Sequence, residues 1–312
     1  MFLIGVLAGL VLLVVGAELL VRGGGRLALA LRIPALVVGL TVVAFGTSAP
    51  ELAVSMTAAL RASTEMALAN VNGSNIANIA LVLGLAALVA PIRVDRGLFR
   101  REIPVLLVLQ LLVVLFCYDG VISRIEGAVL LGLGLLYNGW IVREAWVRRH
   151  IVTEEDLDLP PLVPGHWSRH ALLLVLGLGI LVVGAQLFVA GAVELAHLFG
   201  LSDRTIGLTV IALGTSAPEI ATGVVAAYRK QSDLVTGNVL GSNILNITMV
   251  LALTALVLPI EVHDTGTMLD LGVAFGVTLL LLPMILRDRR ISRGEGALLA
   301  TGYVAYLLLL AS

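Results

Sequence analysis

A run of about 20 apolar residues can cross a lipid bilayer only as a helix, because hydrocarbon offers no partner to an unpaired backbone group. This chain carries ten such runs, close to residues 2–21, 34–60, 66–90, 103–119, 123–142, 171–195, 205–228, 234–258, 267–286 and 295–311. Little of its 312 residues is left over. The pattern predicts an all-α polytopic membrane protein of ten transmembrane helices. Only 13% of residues are charged and mean hydropathy is +1.05, where an ordinary globular domain is roughly a quarter charged. The net charge of -1 is then no guide to partners. The lipid bilayer is one; no nucleic acid and no obligatory protein partner are expected. The first run has no Lys or Arg before Arg22, unlike the basic start of a secretory leader, so it reads as a retained span. The lone Cys117 offers neither an internal disulfide nor a metal-ligand cluster.

The basic residues are sorted by loop. Odd-numbered loops hold Arg22, Arg26 and Arg32, then Arg93, Arg96, Arg100 and Arg101, then Arg143, Arg148, Arg149 and Arg169, then Arg229 and Lys230, then Arg287, Arg289, Arg290 and Arg293. Even-numbered loops hold only Arg61, Arg124 and Arg204. Positive loops stay cytoplasmic. The expectation is an inner-membrane protein with both termini extracytoplasmic and the longest loop inside. That loop, residues 148–169, includes the acidic stretch Glu154, Glu155, Asp156 and Asp158. It lacks the ligand pattern and glycine of an EF-hand and reads as a solvated linker. It divides the chain into five-span halves, 1–147 and 170–312.

The halves are copies. An offset of 168 aligns Leu13–Ile92 with Leu181–Ile260 without a gap. "GLTVVAFGTSAPE" at Gly39–Glu51 becomes "GLTVIALGTSAPE" at Gly207–Glu219, and "NVNGSNIANI" at Asn70–Ile79 becomes "NVLGSNILNI" at Asn238–Ile247. Five spans is an odd number, so the second copy must insert upside down. Inverted repeats let transporters build two alternating faces around one midplane site.

What the copies preserve is polar. Glu51 and Glu219 fall mid-span, where an ionisable group marks function by default. Glu18 is also in a span, but Arg22 stands one turn on and an i,i+4 pair explains it. Glu194 and Asp119 sit at span ends. Two readings of Glu51 compete. Ser48 and Glu51 have the S-x-x-E spacing of a capping box, so the glutamate would cap a half-helix restarted after Gly46 and Pro50. Alternatively, the break lines a cavity at membrane depth, with carbonyls such as those of Ala44 and Thr47 freed as ligands. One residue can do both. The second motif adds Ser74, Asn75, Asn78, Ser242, Asn243 and Asn246, with Ser74 and Asn78 on one helix face. The donors on offer are two carboxylates, the hydroxyls of Thr47, Ser48, Ser74, Thr215, Ser216 and Ser242, the amide oxygens of Asn78 and Asn246, and freed carbonyls. All are hard oxygens, without His or Cys. They suit Ca²⁺ or an alkali cation rather than zinc or copper. Two carboxylates balance one Ca²⁺, or hold two or more Na⁺.

At these residues the chain resembles the cation/calcium exchanger superfamily, in its sodium/calcium exchanger branch, whose repeats read GTS-x-PE and GSN-xx-N. The resemblance covers both motifs in both halves and the ten-span plan. It implies a secondary antiporter, not an enzyme, exchanging Na⁺ for Ca²⁺ by alternating access, without a cofactor. It implies that Glu51 and Glu219 bind both ions and that Thr47 and Thr215 complete the calcium site. Ser74 and Ser242, with the carbonyls of Ala44 and Ala212, would line sodium sites, and Asn78 and Asn246 the middle. The proton/calcium branch differs at GSN-xx-N, but a proton/calcium antiporter using the same glutamates is the alternative. Some relatives, including the potassium-dependent ones, carry Asp where this chain has Asn246. Its absence argues against potassium dependence and leaves the stoichiometry open. The short central loop leaves no room for the calcium-sensing domains of animal exchangers. A channel, an intramembrane hydrolase and a structural subunit fit the doubled carboxylates less well.

Overall fold

The computed structural model describes residues 2–61, 64–95, 100–148, 167–198, 212–262 and 265–311, and almost all of them are helical. Helix α1 spans Phe2–Leu31. The second helix is broken into α2a, Ala35–Thr47, and α2b, Ala49–Leu60, at an angle of 43°. Then follow α3 (Thr64–Val89), α4 (Glu102–Phe116), α5 (Arg124–Arg148) and α6 (Trp167–Leu198). The seventh helix is also broken, into α7a (Ala212–Thr215) and α7b (Ala217–Tyr228). Helices α8 (Ser232–Val257), α9 (Thr265–Asp288) and α10 (Arg293–Ala311) complete the order. Among the described residues six helices, α1, α3, α5, α6, α8 and α9, are long and apolar enough to cross a bilayer, and bent α2 makes a seventh if its parts form one span. Helix α4, with 15 residues, is short for the purpose. The acidic linker and the start of the seventh predicted span lie outside the described residues.

The protein is oily outside and polar within. On α1, Leu3, Ile4, Leu7, Leu10, Val11 and Val14 are each at least half exposed, a face that in water would be a liability and in lipid is solvated. Helices α3 and α8 are the buried ones, at 78% and 83% of their most apolar windows, against 33% and 28% for α1 and α6. Their buried surface includes Asn72, Ser74, Asn75 and Asn78 on α3, and Asn238, Ser242, Asn243 and Asn246 on α8.

Helices α1 and α6 cross antiparallel. Gly9 faces Phe188, Gly16 faces Leu181 and Gly23 faces Leu174, so one number rises as the other falls. Seven residues are nearly two helical turns, so Gly9, Gly16 and Gly23 form one stripe, matched on α6 by Gly177, Gly184 and Gly191. A Cβ on Gly16 would lie 2.7 Å from the Leu181 backbone nitrogen, and one on Gly177 would lie 2.6 Å from that of Leu20. The backbones touch because nothing stands between them, as small residues allow in membranes.

Prolines end the buried helices. Ala90 precedes Pro91 and Leu258 precedes Pro259, and both are extended (φ -146°, ψ 141° and φ -142°, ψ 127°), as a residue before proline is driven to be. Each opens a two-residue strand that the sequence did not announce: β1 (Ile92–Arg93) and β3 (Ile260–Glu261). Strand β1 pairs antiparallel with β4 (Arg290–Ile291), and β3 with β2 (Val121–Ile122). Side chains finish the ends: Arg293 donates to the Val89 carbonyl and Arg124 to that of Val257, both at 3.2 Å. The Arg93 N–H donates to Ser232 and the Glu261 N–H to Thr64. Each contact has a counterpart 168 or 169 residues along the chain.

Two buried polar ties join the outer helices. Gln110 on α4 donates to the Ala274 carbonyl (3.2 Å) and to the Thr278 hydroxyl (3.0 Å) on α9. Glu18 on α1 holds Arg22, as expected, and also Arg229 after α7b. The second arginine could not be foreseen, since only the packing of α1 on α7b brings it there.

Candidate ion-binding site

Pro50 is the second residue of α2b and Pro218 the second of α7b. A proline lacks the N–H that the residue four back would receive, so neither helix runs straight through. Ser48 (φ -82°, ψ 4°) and Ser216 (φ -86°, ψ 5°) make the bends. Each bend puts a glutamate in the first turn of the restarted half-helix, where its charge is favoured by the partial positive end. Glu51 and Glu219 are both wholly buried.

Neither glutamate is a cap. Ser48 and Ser216 make no side-chain capping bond, and all four carboxylate oxygens of Glu51 and Glu219 are buried without a hydrogen-bond partner, as are both serine hydroxyls. The chain contains its own control. At Ser123 and Ser292 the same S-x-x-E spacing closes a full capping box: Glu126 accepts from the Ser123 N–H (2.7 Å) and hydroxyl (2.8 Å), and Glu295 does the same at Ser292 (2.7 Å for both). The spacing therefore permits a box, and the two buried glutamates do not form one. The reading of "GTSAPE" as cap and ligand together is corrected: the carboxylates are left for something else. The expected freeing of the Ala44 carbonyl is corrected too, since it accepts the Ser48 N–H at 3.0 Å and, more weakly, the Thr47 hydroxyl at 3.4 Å.

The two motifs converge. Ser74 lies beside the Glu51 carboxylate, and Thr47, Ser48 and Ser242 lie beside that of Glu219. The two carboxylates are near enough to repel each other. The Thr47 hydroxyl reaches Asn238 Oδ1 at 3.1 Å and Ser242 Oγ at 3.4 Å, tying the first half to the second. Thr215 is buried beside Ser216; Ala212 opens the described part of α7a. Asn78 and Asn246 each begin a π-helical stretch, Asn78–Val82 in α3 and Asn246–Leu251 in α8, a wide turn frequent at functional sites. Asn78 Nδ2 donates to Asn243 Oδ1 (2.9 Å), Asn246 Nδ2 donates to Asn75 Oδ1 (3.1 Å), and Asn243 Nδ2 donates to the Asn75 carbonyl (3.0 Å). The amide oxygens of Asn78 and Asn246 are left buried and unpartnered.

Buried polar groups in folded proteins are nearly always paired. Here eight oxygens, one each from Ser48, Asn78, Ser216 and Asn246 and two each from Glu51 and Glu219, are buried without a partner on the two broken helices and on α3 and α8. The donor set fits a hard cation. Among the described residues no cluster of three or more His, Cys, Asp or Glu exists, so a soft-metal site has no material. The sequence marks Asn75 and Asn243 without giving them a place, and Asn238 only as the start of the second motif. Their recurrence at the 168-residue offset was the available signal; the bonds they make depend on the packing of α3 against α8. Sequence reasoning missed the π turns, which leave no mark in composition.

Apolar helices wrapped around a buried pool of cation-ready oxygens make a membrane transporter of inorganic ions. The sequence profile of the family described as sodium/calcium exchanger protein matches residues 1–142 and 169–311, and the chain belongs to that family, whose members are transporters and not enzymes. It is 37% identical to the inner membrane protein YrbG of Escherichia coli (strain K12), over 97% of this chain and 95% of that protein. It is 32% identical to the sodium/calcium exchanger MaX1 of Methanosarcina acetivorans, over 97% of each chain. Its fold matches a solved structure of the sodium-calcium exchanger NCX_Mj at a TM-score of 0.84 with 34% identity, covering 98% of this chain and 97% of that one.

Proposed function

We propose that the protein exchanges Na⁺ for Ca²⁺ across the membrane through one site between α2, α3, α7 and α8, used by the two ions in turn. One observation carries the reading: the carboxylate oxygens of Glu51 and Glu219 and the amide oxygens of Asn78 and Asn246 are all buried and all without a partner. An uncompensated carboxylate inside a protein costs several kcal/mol, so two side by side need cationic cargo. The hydroxyls of Thr47, Ser48, Ser74, Thr215, Ser216 and Ser242 and the carbonyls of Ala44 and Ala212 complete the shell. Charge explains why this is exchange rather than leak. Emptied, the site carries two negative charges in a medium that penalises them, and it does not cross until loaded. One Ca²⁺ cancels them; so do two Na⁺, and further Na⁺ can sit on neutral oxygens. The same carboxylates cannot serve both loads together.

The architecture we assign is two inverted five-helix repeats, residues 1–147 and 170–312, joined by a cytoplasmic linker over 148–169, with both termini extracytoplasmic. Reciprocal contacts such as Arg93 with Ser232 and Glu261 with Thr64 support a two-fold relation, as does the antiparallel crossing of the equivalent helices α1 and α6. These two helices, long and in glycine contact, slide across the core to open one side at a time. Proteoliposomes loaded with Na⁺ and diluted into Na⁺-free medium with radioactive calcium provide the test. Uptake that follows the outward Na⁺ gradient is expected. It should respond to voltage if more charge moves one way than the other, at about 2.3 kcal/mol per charge per 100 mV. Uptake indifferent to Na⁺ and driven by a pH gradient overturns the reading in favour of proton/calcium exchange.

A further inference from the structure

We propose that Asn75 and Asn243 are positioning residues that lock the amides of Asn78 and Asn246 with their oxygens, not their nitrogens, turned to the ion. The proposal rests on the ion site described above and adds to it two residues that are not themselves ligands. An asparagine amide is nearly symmetric in shape, and half a turn about its last bond exchanges an acceptor for a donor. In most places the exchange costs little. Beside a cation it reverses the sign of the interaction, because the carbonyl oxygen attracts the ion and the NH₂ group repels it. A site built on asparagine oxygens therefore needs something to forbid the turn.

The lock is visible in the donors. Asn78 gives its Nδ2 protons to Asn243 Oδ1 at 2.9 Å, and Asn246 gives its own to Asn75 Oδ1 at 3.1 Å. In each case the nitrogen is drawn to a neighbour and the oxygen is left unpartnered. Asn243 is itself prevented from turning: its Nδ2 donates at 3.0 Å to the main-chain carbonyl of Asn75, which can only accept. Polarity thus passes from a backbone group of fixed sign, through Asn243, to Asn78. All four side chains are at most 2% exposed. The pairs cross between halves, α3 to α8 in one case and α8 to α3 in the other, which places each lock on the helix opposite the amide it holds.

Hydrogen bonds that merely glue α3 to α8 would predict a general loss of stability. A positioning role predicts that Asn75 acts on the ion only through Asn246, and this separates in a double-mutant cycle. Calcium binding to the purified protein in detergent is measured by calorimetric titration for wild type, Asn75→Ala, Asn246→Ala and the double variant, with unfolding followed separately in calcium-free buffer. Asn75→Ala is expected to weaken calcium binding roughly tenfold, about the net worth of one hydrogen bond between neutral groups. Added to Asn246→Ala it should weaken binding no further. A double variant that multiplies the two single losses, or an Asn75→Ala protein that binds as wild type does, overturns the proposal. The cycle of Asn243→Ala with Asn78→Ala tests the second lock in the same way and serves if Asn75→Ala does not fold. Wild-type protein that takes up no calcium in this titration would instead sink the exchanger reading itself.

Discussion

Glu51→Gln separates stability from function at this site. The substitution keeps the shape and removes one of two mutually repelling charges. In ion-free buffer the wild type buries both carboxylates with no hydrogen bond to any of their four oxygens. A buried unpaired charge costs several kcal/mol, while an unsatisfied buried amide costs about 1–3 kcal/mol. The variant should therefore be more stable without ions, by about 1–3 kcal/mol from the difference of those two penalties. Calcium offsets the difference. At a free concentration one hundred times Kd, wild type gains about 2.7 kcal/mol by mass action, and the variant, short of a carboxylate, gains little. The assay is thermal unfolding of purified protein in detergent, in a calcium chelator and again in saturating calcium. A shift of 1 kcal/mol corresponds to roughly 2 °C for a chain of this size, so calcium should raise the wild type by about 5 °C and the variant by little. Glu126→Gln is the control. Glu126 closes the capping box with Ser123 at 2.7 and 2.8 Å, so its loss should lower stability in both buffers and leave the calcium-dependent rise intact. A Glu51→Gln protein that is less stable than wild type in chelator and keeps the full calcium-dependent rise would refute the reasoning, since Glu51 would then be held by the protein rather than waiting for an ion.

The remaining expectations concern the moving parts. Gly16→Val forces a side chain where even a Cβ would stand 2.7 Å from the backbone of α6; overpacking of this kind costs about 1–3 kcal/mol or more, and both unfolding temperature and sodium-driven calcium flux should fall. Gly139→Ala, inside α5 where a Cβ meets nothing within 4 Å, should leave the flux unchanged and not lower the unfolding temperature, since alanine favours a helix by about 0.5–1 kcal/mol over glycine. Glu18→Gln frees Arg229 from α1. The pair is partly exposed, with side chains at 28% and 33%, so its worth is about 1 kcal/mol at most. Spin-label distances between α1 and α7b should shift populations by up to ~5-fold; an unchanged distribution would mean the pair is idle in the conformational cycle.

Much of the candidate site was readable as text. The apolar runs mark the helices because lipid tolerates little else, and the doubled "GTSAPE" and "GSN-xx-N" single out Glu51, Glu219, Ser74, Ser242, Asn78 and Asn246 because polar residues in oil need a reason. The small strands beside Pro91 and Pro259 were not readable, since two residues make no periodic signal. Nor was the reach of α1 to Leu31, well past the apolar run that ends near residue 21; Gly23 is packed against Leu174 of α6.

The four S-x-x-E segments divide what sequence alone determined from what required the tertiary structure. Sequence places a carboxylate three residues after a serine at Ser48, Ser123, Ser216 and Ser292, and all four could close a cap. The fold closes the two beside the strands and leaves Glu51 and Glu219 open; at Ser48 the N–H that a box would use is already donated to the Ala44 carbonyl of the preceding half-helix. Local spacing decides which bonds a residue can make with its own helix. Which atom is left without a partner depends on every helix that packs around it, and here that remainder is where the ions are proposed to bind.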